Sequence, residues 1–238
     1  MKQASEPILN IPPVVGATVA ALVFVHAARA FLLSPEQDLE FLAEFAFIPA
    51  RYAALAGVLP GGWGADIWTF VTYALIHADL VHLGVNVAWL LPFGSAIARR
   101  FGAKRFLGFL AVTSAAGAAA QLAAHWGEAE LMVGASGAIS GLMGGAIRFV
   151  FQRGGPLGVW SARDVDVYRV PAVSLMAALR EPRVLVFLAV WLATNLAVGV
   201  GPVSMPGVEQ PIAWQAHIGG FLAGLLLFTF FDPRPRSS

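Results

Sequence analysis

The chain contains no cysteine and very little charge. Without cysteine there is no disulfide, no thiol nucleophile and no thiolate metal site. Asp, Glu, Lys and Arg together make up 12% of the 238 residues, against about 25% in ordinary soluble domains. So few charges cannot cover a surface facing water. Hydrophobic residues make up 58%, and the mean hydropathy is +0.73. The composition excludes a water-soluble domain and indicates a membrane protein in one domain of lipid contact. A net charge of +1 provides no basic face, so no nucleic-acid partner is expected.

Apolar stretches close to the roughly 20 residues needed to cross a bilayer recur along the chain. Six are expected as helices: Val14–Leu33, Leu80–Ala98, Phe106–Trp126, Leu131–Phe151, Val184–Val200 and Ile212–Phe231. The first is longer than a signal-peptide core of 7–15 residues and is read as a retained helix. Pro12 and Pro13 suit a helix start, while Gly201-Pro202 and Asp232-Pro233 are stop signals. The segment Ser34–Asp79 is too long for a plain connection and is expected to form an ordered loop at the membrane surface. The fold class is therefore an all-α membrane protein. Residues 1–13 form a short amino-terminal segment, 14–231 a six-helix membrane domain and 232–238 a short tail.

Basic residues set the orientation of such a bundle. With six spans, 13 of the 15 fall on one side: Lys2, the 99–105 cluster, Arg148 to Arg183, and Arg234 with Arg236; Arg29 and Arg51 do not. Nine of the 14 acidic residues lie on the other side, among them Glu36, Asp38, Asp79, Glu128 and Glu209. Both termini are expected in the cytoplasm. The lack of an organelle-targeting extension points to a bacterial inner membrane.

Polar side chains inside spans are costly and default to function. His82 and Asn86 lie four apart on one face of the second span, Ser136 lies in Gly134-Ala135-Ser136-Gly137, and His217 lies in Ala216-His217-Ile218-Gly219-Gly220. At about 1.5 Å per residue, His82 is roughly 3 Å below the outer boundary, Asn86 roughly 9 Å, and Ser136 and His217 roughly 8 Å. The four share one layer. A serine becomes a nucleophile when a histidine takes its proton, and acyl transfer needs donors for the oxyanion. Ser136 and His217 fit the first requirement; His82, Asn86 and the Ser136 backbone N–H fit the second. No carboxylate lies within the spans to orient His217, which points to a dyad. Gly137, Gly141 and Gly145 on one span, and Gly220 and Gly224 on another, are spaced for close helix approach.

These motifs, in this order and on these spans, resemble those of the rhomboid intramembrane serine proteases. The resemblance runs from about Trp68 to Gly224. It implies that Ser136 and His217 are the catalytic pair and that His82 and Asn86 line the oxyanion hole. It also implies transmembrane proteins as substrates, cut near small or helix-weakening residues, and no metal or cofactor. Two positions depart from the family. Some members carry Trp-Arg in the first loop, where this chain has Trp68-Thr69, so no loop-bracing arginine is carried over. Members often have an aromatic residue four positions after the nucleophile, and here that position is Ser140.

Other readings of the same residues are a packing serine that bonds a carbonyl, a structural histidine, or a metal site at His77, His82 and His217. Asn86 is a poor metal ligand and the layer holds no carboxylate or cysteine. Rival functions are a non-cleaving binder of membrane clients and a small transporter. The latter is disfavoured because the two halves do not repeat one another. His26, His125 and Asn195 are read as structural.

Overall fold

A computed structural model describes residues 10–157, 165–200 and 212–233. Lys2, Arg163, Glu209, Arg234, Arg236 and the Gly201-Pro202 stop lie outside them. The described residues form an all-α protein whose one non-helical pairing is an isolated bridge, Phe47 with Met132. The α-helices are α1 (Pro13–Leu32), α2 (Pro35–Phe45), α3 (Gly62–Thr72), α4 (Leu80–Phe101), α5 (Ala103–Ala124), α6 (Ser136–Ala146), α7 (Leu175–Ala178), α8 (Pro182–Gly199) and α9 (Trp214–Phe231). Among the described residues five are long and apolar enough to cross a membrane: α1, α4, α5, α8 and α9.

The expected fourth span differs. Leu131–Phe151 does not form one long helix: α6 covers 11 residues, and turns follow from Ile147. At 1.5 Å per residue that is about 16 Å, half of a hydrocarbon core. The cause lies at its start. Gly134 has φ +117°, outside the helical region, and Met132 is paired with Phe47, so helix begins only at Ser136. Every residue from Gly137 to Ala146 is buried, against α4, α5 and α9. Irregular backbone at membrane depth is tolerable when protein, not lipid, surrounds it.

Local signals explain the other boundaries. Pro occupies the first turn of α1, α2 and α8, where its missing N–H costs nothing. The Asp79 carboxylate accepts the N–H of His82 at 2.7 Å and caps α4. Gly102 alone joins α4 to α5, with φ +78° and ψ 165°, a conformation open essentially to glycine.

The first loop is ordered, as its length implied, and carries α2 and α3. The Ser34 side chain and Gln37 form a reciprocal capping box. A guanidinium braces this loop from within, but it is that of Arg51. The Arg51 side chain is 2% exposed and donates to the carbonyls of Pro60, at 3.0 Å, and Ala43. Thr69, where some relatives of this sequence pattern have arginine, is buried and bonds the Ala65 carbonyl.

At the opposite end of the bundle, Arg100 ties α4 to the end of α9. Its guanidinium meets both carboxylate oxygens of Asp232, at 3.0 and 2.8 Å, and donates to the carbonyls of Tyr168 and Val170. Phe149 and Phe228 flank it. Pairing and full hydrogen bonding are what make a buried charge tolerable.

Candidate active site

Two close backbone contacts in one helix crossing, α6 on α9, build the site. Gly220 on α9 lies against the carbonyl of Gly137, and Gly224 against that of Gly141; a Cβ at either glycine would strike those oxygens. Gly144, not Gly145, continues this face toward Phe221 and Leu225, while Gly145 turns to Phe109 and Ile97. The reason is helical phase. Eight residues at 3.6 per turn drift about 80° from Gly137, whereas seven drift about 20°.

This contact brings the first residue of α6 to the first turn of α9. The Ser136 Oγ and the His217 Nε2 are 2.7 Å apart. The other ring nitrogen, Nδ1, is 2.5 Å from the side-chain oxygen of Asn195 on α8. The Asn195 amide nitrogen in turn donates to the Trp191 carbonyl at 2.7 Å, which points the amide oxygen at the imidazole. An amide oxygen only accepts, so Nδ1 carries the proton and Nε2 is left to accept from the Ser136 hydroxyl. No sequence signal used above singles out Asn195 as part of the site.

Ser140 lies one turn along α6 and is buried. Both ring nitrogens of His217 are taken by Ser136 and Asn195. With both nitrogens engaged, the Ser140 hydroxyl has no imidazole nitrogen left to bind.

A cavity of about 640 Å³ opens in front of Ser136 and is also lined by His82, Asn86, Ser140, Asn195 and His217. Gly134 closes its side toward α4: a Cβ there would lie 2.6 Å from the His82 Nε2. Asn86 is buried and uses one amide hydrogen on the His82 carbonyl, at 2.9 Å, which leaves its second donor. No side chain caps the amino terminus of α6, so its first-turn N–H groups remain for another acceptor. The 134–136 turn is held from behind by His77, whose Nε2 accepts the Ala135 N–H at 3.4 Å. His77 precedes α4. Burial, with His82 and His26 nearby, pushes its imidazole down to about 3, so the ring is neutral and able to accept.

His77, His82 and His217 do not group as a metal site. Among the described residues, the acidic and histidine side chains close enough to share an ion are His125, Glu128 and Glu130, after α5. There His125 already engages Glu128 at 2.8 Å and Gln215 at 2.9 Å.

Comparison with known proteins agrees with the helical membrane fold. Residues 64–233 match the family model of the rhomboid domain. RHOMBOID-like protein 4 of Arabidopsis thaliana is 30% identical over 83% of this chain and 45% of its own length. The rhomboid protease GlpG of Pectobacterium atrosepticum is 28% identical over 72% of this chain and 50% of its own. Rhomboid-like protease 3 of Toxoplasma gondii is 25% identical over 74% and 56%. The chain spans about half the length of the curated relatives it matches. They come from plants, a parasite and bacteria, and so do not single out a bacterial inner membrane. With the family model covering well over half of it, this integral membrane protein belongs to the rhomboid family.

Proposed function

We propose that this chain is a serine endopeptidase that cuts transmembrane segments of other membrane proteins. The observation that carries the proposal is the 2.7 Å approach of the Ser136 hydroxyl to His217 Nε2 at a buried helix junction. In the reaction, Oγ attacks the scissile carbonyl carbon while its proton passes to Nε2. The tetrahedral oxyanion faces the Ser136 N–H, the free Asn86 amide hydrogen and His82. Collapse breaks the C–N bond, and the imidazolium gives its proton to the leaving amine. Water, deprotonated by the same nitrogen, then releases the acyl group from Oγ. The chemistry needs no metal or cofactor.

In this reading residues 14–231 act as one membrane domain of six crossings, with α6 as the shortened fourth. Residues 1–13 and 232–238 face the cytoplasm, on the basic-residue pattern, and a bacterial inner membrane is a suitable host. Its partners are lipid and single-span membrane substrates.

A serine-directed phosphonate tests the site and the orientation together. It should label Ser136 and fail to label His217→Ala, because the base must activate the hydroxyl. A membrane-impermeant form should label from the non-cytoplasmic face of oriented vesicles. Labelling of another serine overturns the site, and labelling solely from the cytoplasmic face overturns the orientation. Co-expression with a panel of single-span proteins, scored for fragments that depend on Ser136, distinguishes a protease from a non-cleaving client binder.

The oxyanion donors are testable one at a time. Asn86→Ala and His82→Ala should each lower saturated turnover by about two to three decades, as loss of one donor does elsewhere. If both variants turn over like wild type, the two side chains pack helices and do no chemistry.

A further inference from the structure

The acceptor on His217 Nδ1 comes from an unexpected place. Helix α8 is apolar, and Val184 and Asn195 are its buried residues. Among the helices, α8 packs mainly against α9, with Trp191 stacked on Phe221 at 4.5 Å. A primary amide on such a helix is expensive in lipid unless it is satisfied. Asn195 is 8% exposed and uses both ends of its amide, the nitrogen on its own helix and the oxygen on the imidazole. Among the described residues, Ser136 and Asn195 are the hydrogen-bond partners of the ring. No carboxylate reaches Nδ1, and position 140 offers a hydroxyl without a free imidazole nitrogen to meet.

We propose that Asn195 is the positioning residue of the general base: its amide oxygen holds the Nδ1–H of His217, so that Nε2 faces the Ser136 hydroxyl. This rests on the Ser136–His217 reading above. The working unit is then Ser136, His217 and Asn195, contributed by α6, α9 and α8. An amide suits the task in a low-dielectric site, because it fixes the tautomer without burying a second charge. It does not offer the imidazolium the negative charge that a carboxylate does.

The rival role for Asn195 is glue, a polar contact that docks α8 on α9. Asn195→Ala, Asn195→Asp and Ser136→Ala in the full chain, reconstituted in liposomes, separate the two. The readouts are kcat, KM, thermal midpoint and the pH profile of kcat on one transmembrane substrate. Asn195→Ala should lose roughly tenfold to a hundredfold in kcat, the range for one buried orienting hydrogen bond, with KM within about twofold. Asn195→Asp restores the acceptor and adds a negative charge beside the ring. It should recover most of kcat and move the acidic limb upward by about one pH unit or more. The sign follows from the base being active when neutral: a higher imidazole pKa means that activity is lost at a higher pH as the solution is acidified. The other titratable groups around the cavity are Tyr73, between α3 and α4, His82 and Asp79 at the start of α4, Arg29 of α1 and Glu130 ahead of α6, and all are common to every variant. Equal loss in the Ala and Asp variants with an unmoved limb is the signature of glue and overturns the proposal, as does wild-type kcat in Asn195→Ala. Should Asn195→Ala not fold, the limb of the Asp variant alone decides. Cleavage that survives Ser136→Ala would instead overturn the protease reading and leave the question of Asn195 behind it.

Discussion

Ser136→Ala and His217→Ala should each lower cleavage by roughly four decades or more, and the double variant should be no worse than either single one. Nucleophile and base act as one unit, so the second loss finds nothing left to remove. The Ser136 Oγ and His217 Nε2 lie 2.7 Å apart, within the reach that proton transfer to the base requires. The fold should survive Ser136→Ala, which deletes one hydroxyl and one hydrogen bond worth about 1 kcal/mol. Turnover of a fluorogenic transmembrane substrate in liposomes, beside thermal unfolding in detergent, provides both numbers. Normal turnover in Ser136→Ala would sink the mechanism.

Gly220→Val should also cost activity, by a different route. A Cβ at position 220 runs into the carbonyl of Gly137 and lies 3.3 Å from that of Thr113. Neither obstacle is a flexible side chain, so α9 has to move away from α6 and α5. His217 stands one turn before Gly220 and moves with it. A misplacement of about 1 Å costs on the order of a hundredfold in rate, and the branched Val side chain asks for more. We expect turnover to fall by at least about a hundredfold, and the thermal midpoint to drop as well, since overpacking alone costs about 1–3 kcal/mol. Gly84, on α4, has open space around its Cβ position, so Gly84→Ala is the matched control and should behave like wild type in stability. Wild-type turnover in Gly220→Val would mean that the α6–α9 crossing does not set the site geometry.

Much of the frame was legible in the sequence because apolar length and glycine spacing report directly on membrane crossing and helix approach. The five helices long enough to span lie close to where hydropathy places them. The motifs around His82, Ser136 and His217 pointed to the family that the comparisons support. What hydropathy does not carry is backbone state. Leu131–Phe151 reads as one apolar run, yet the positive φ of Gly134 and the Phe47–Met132 bridge delay its helix to Ser136. Phase was also misjudged by a repeat of four, which drifts around the helix and exchanges Gly145 for Gly144. The partner of His217 Nδ1 is the amide of Asn195 and not a carboxylate. The signal that finds it is its own cost, an amide in the middle of an apolar span. Arg51 and Arg100 were counted as charges for orientation, whereas each is buried and braces backbone carbonyls. Charge counting sees the sign of a residue and not the acceptors that fold around it.

The brevity of α6 has a mechanical consequence. A helix that spans lipid must answer to bilayer thickness by tilting, thinning the membrane or stretching its flanks. Residues 137–146 of α6 are buried in protein, so lipids of different chain length press on α1, α4, α5, α8 and α9 and act on α6 through them. The height of the Ser136 hydroxyl is therefore referenced to its neighbours in the bundle and not to the membrane surfaces. Arg100 and Asp232, by pinning the far end of α9 to α4, keep His217 on that same internal ruler.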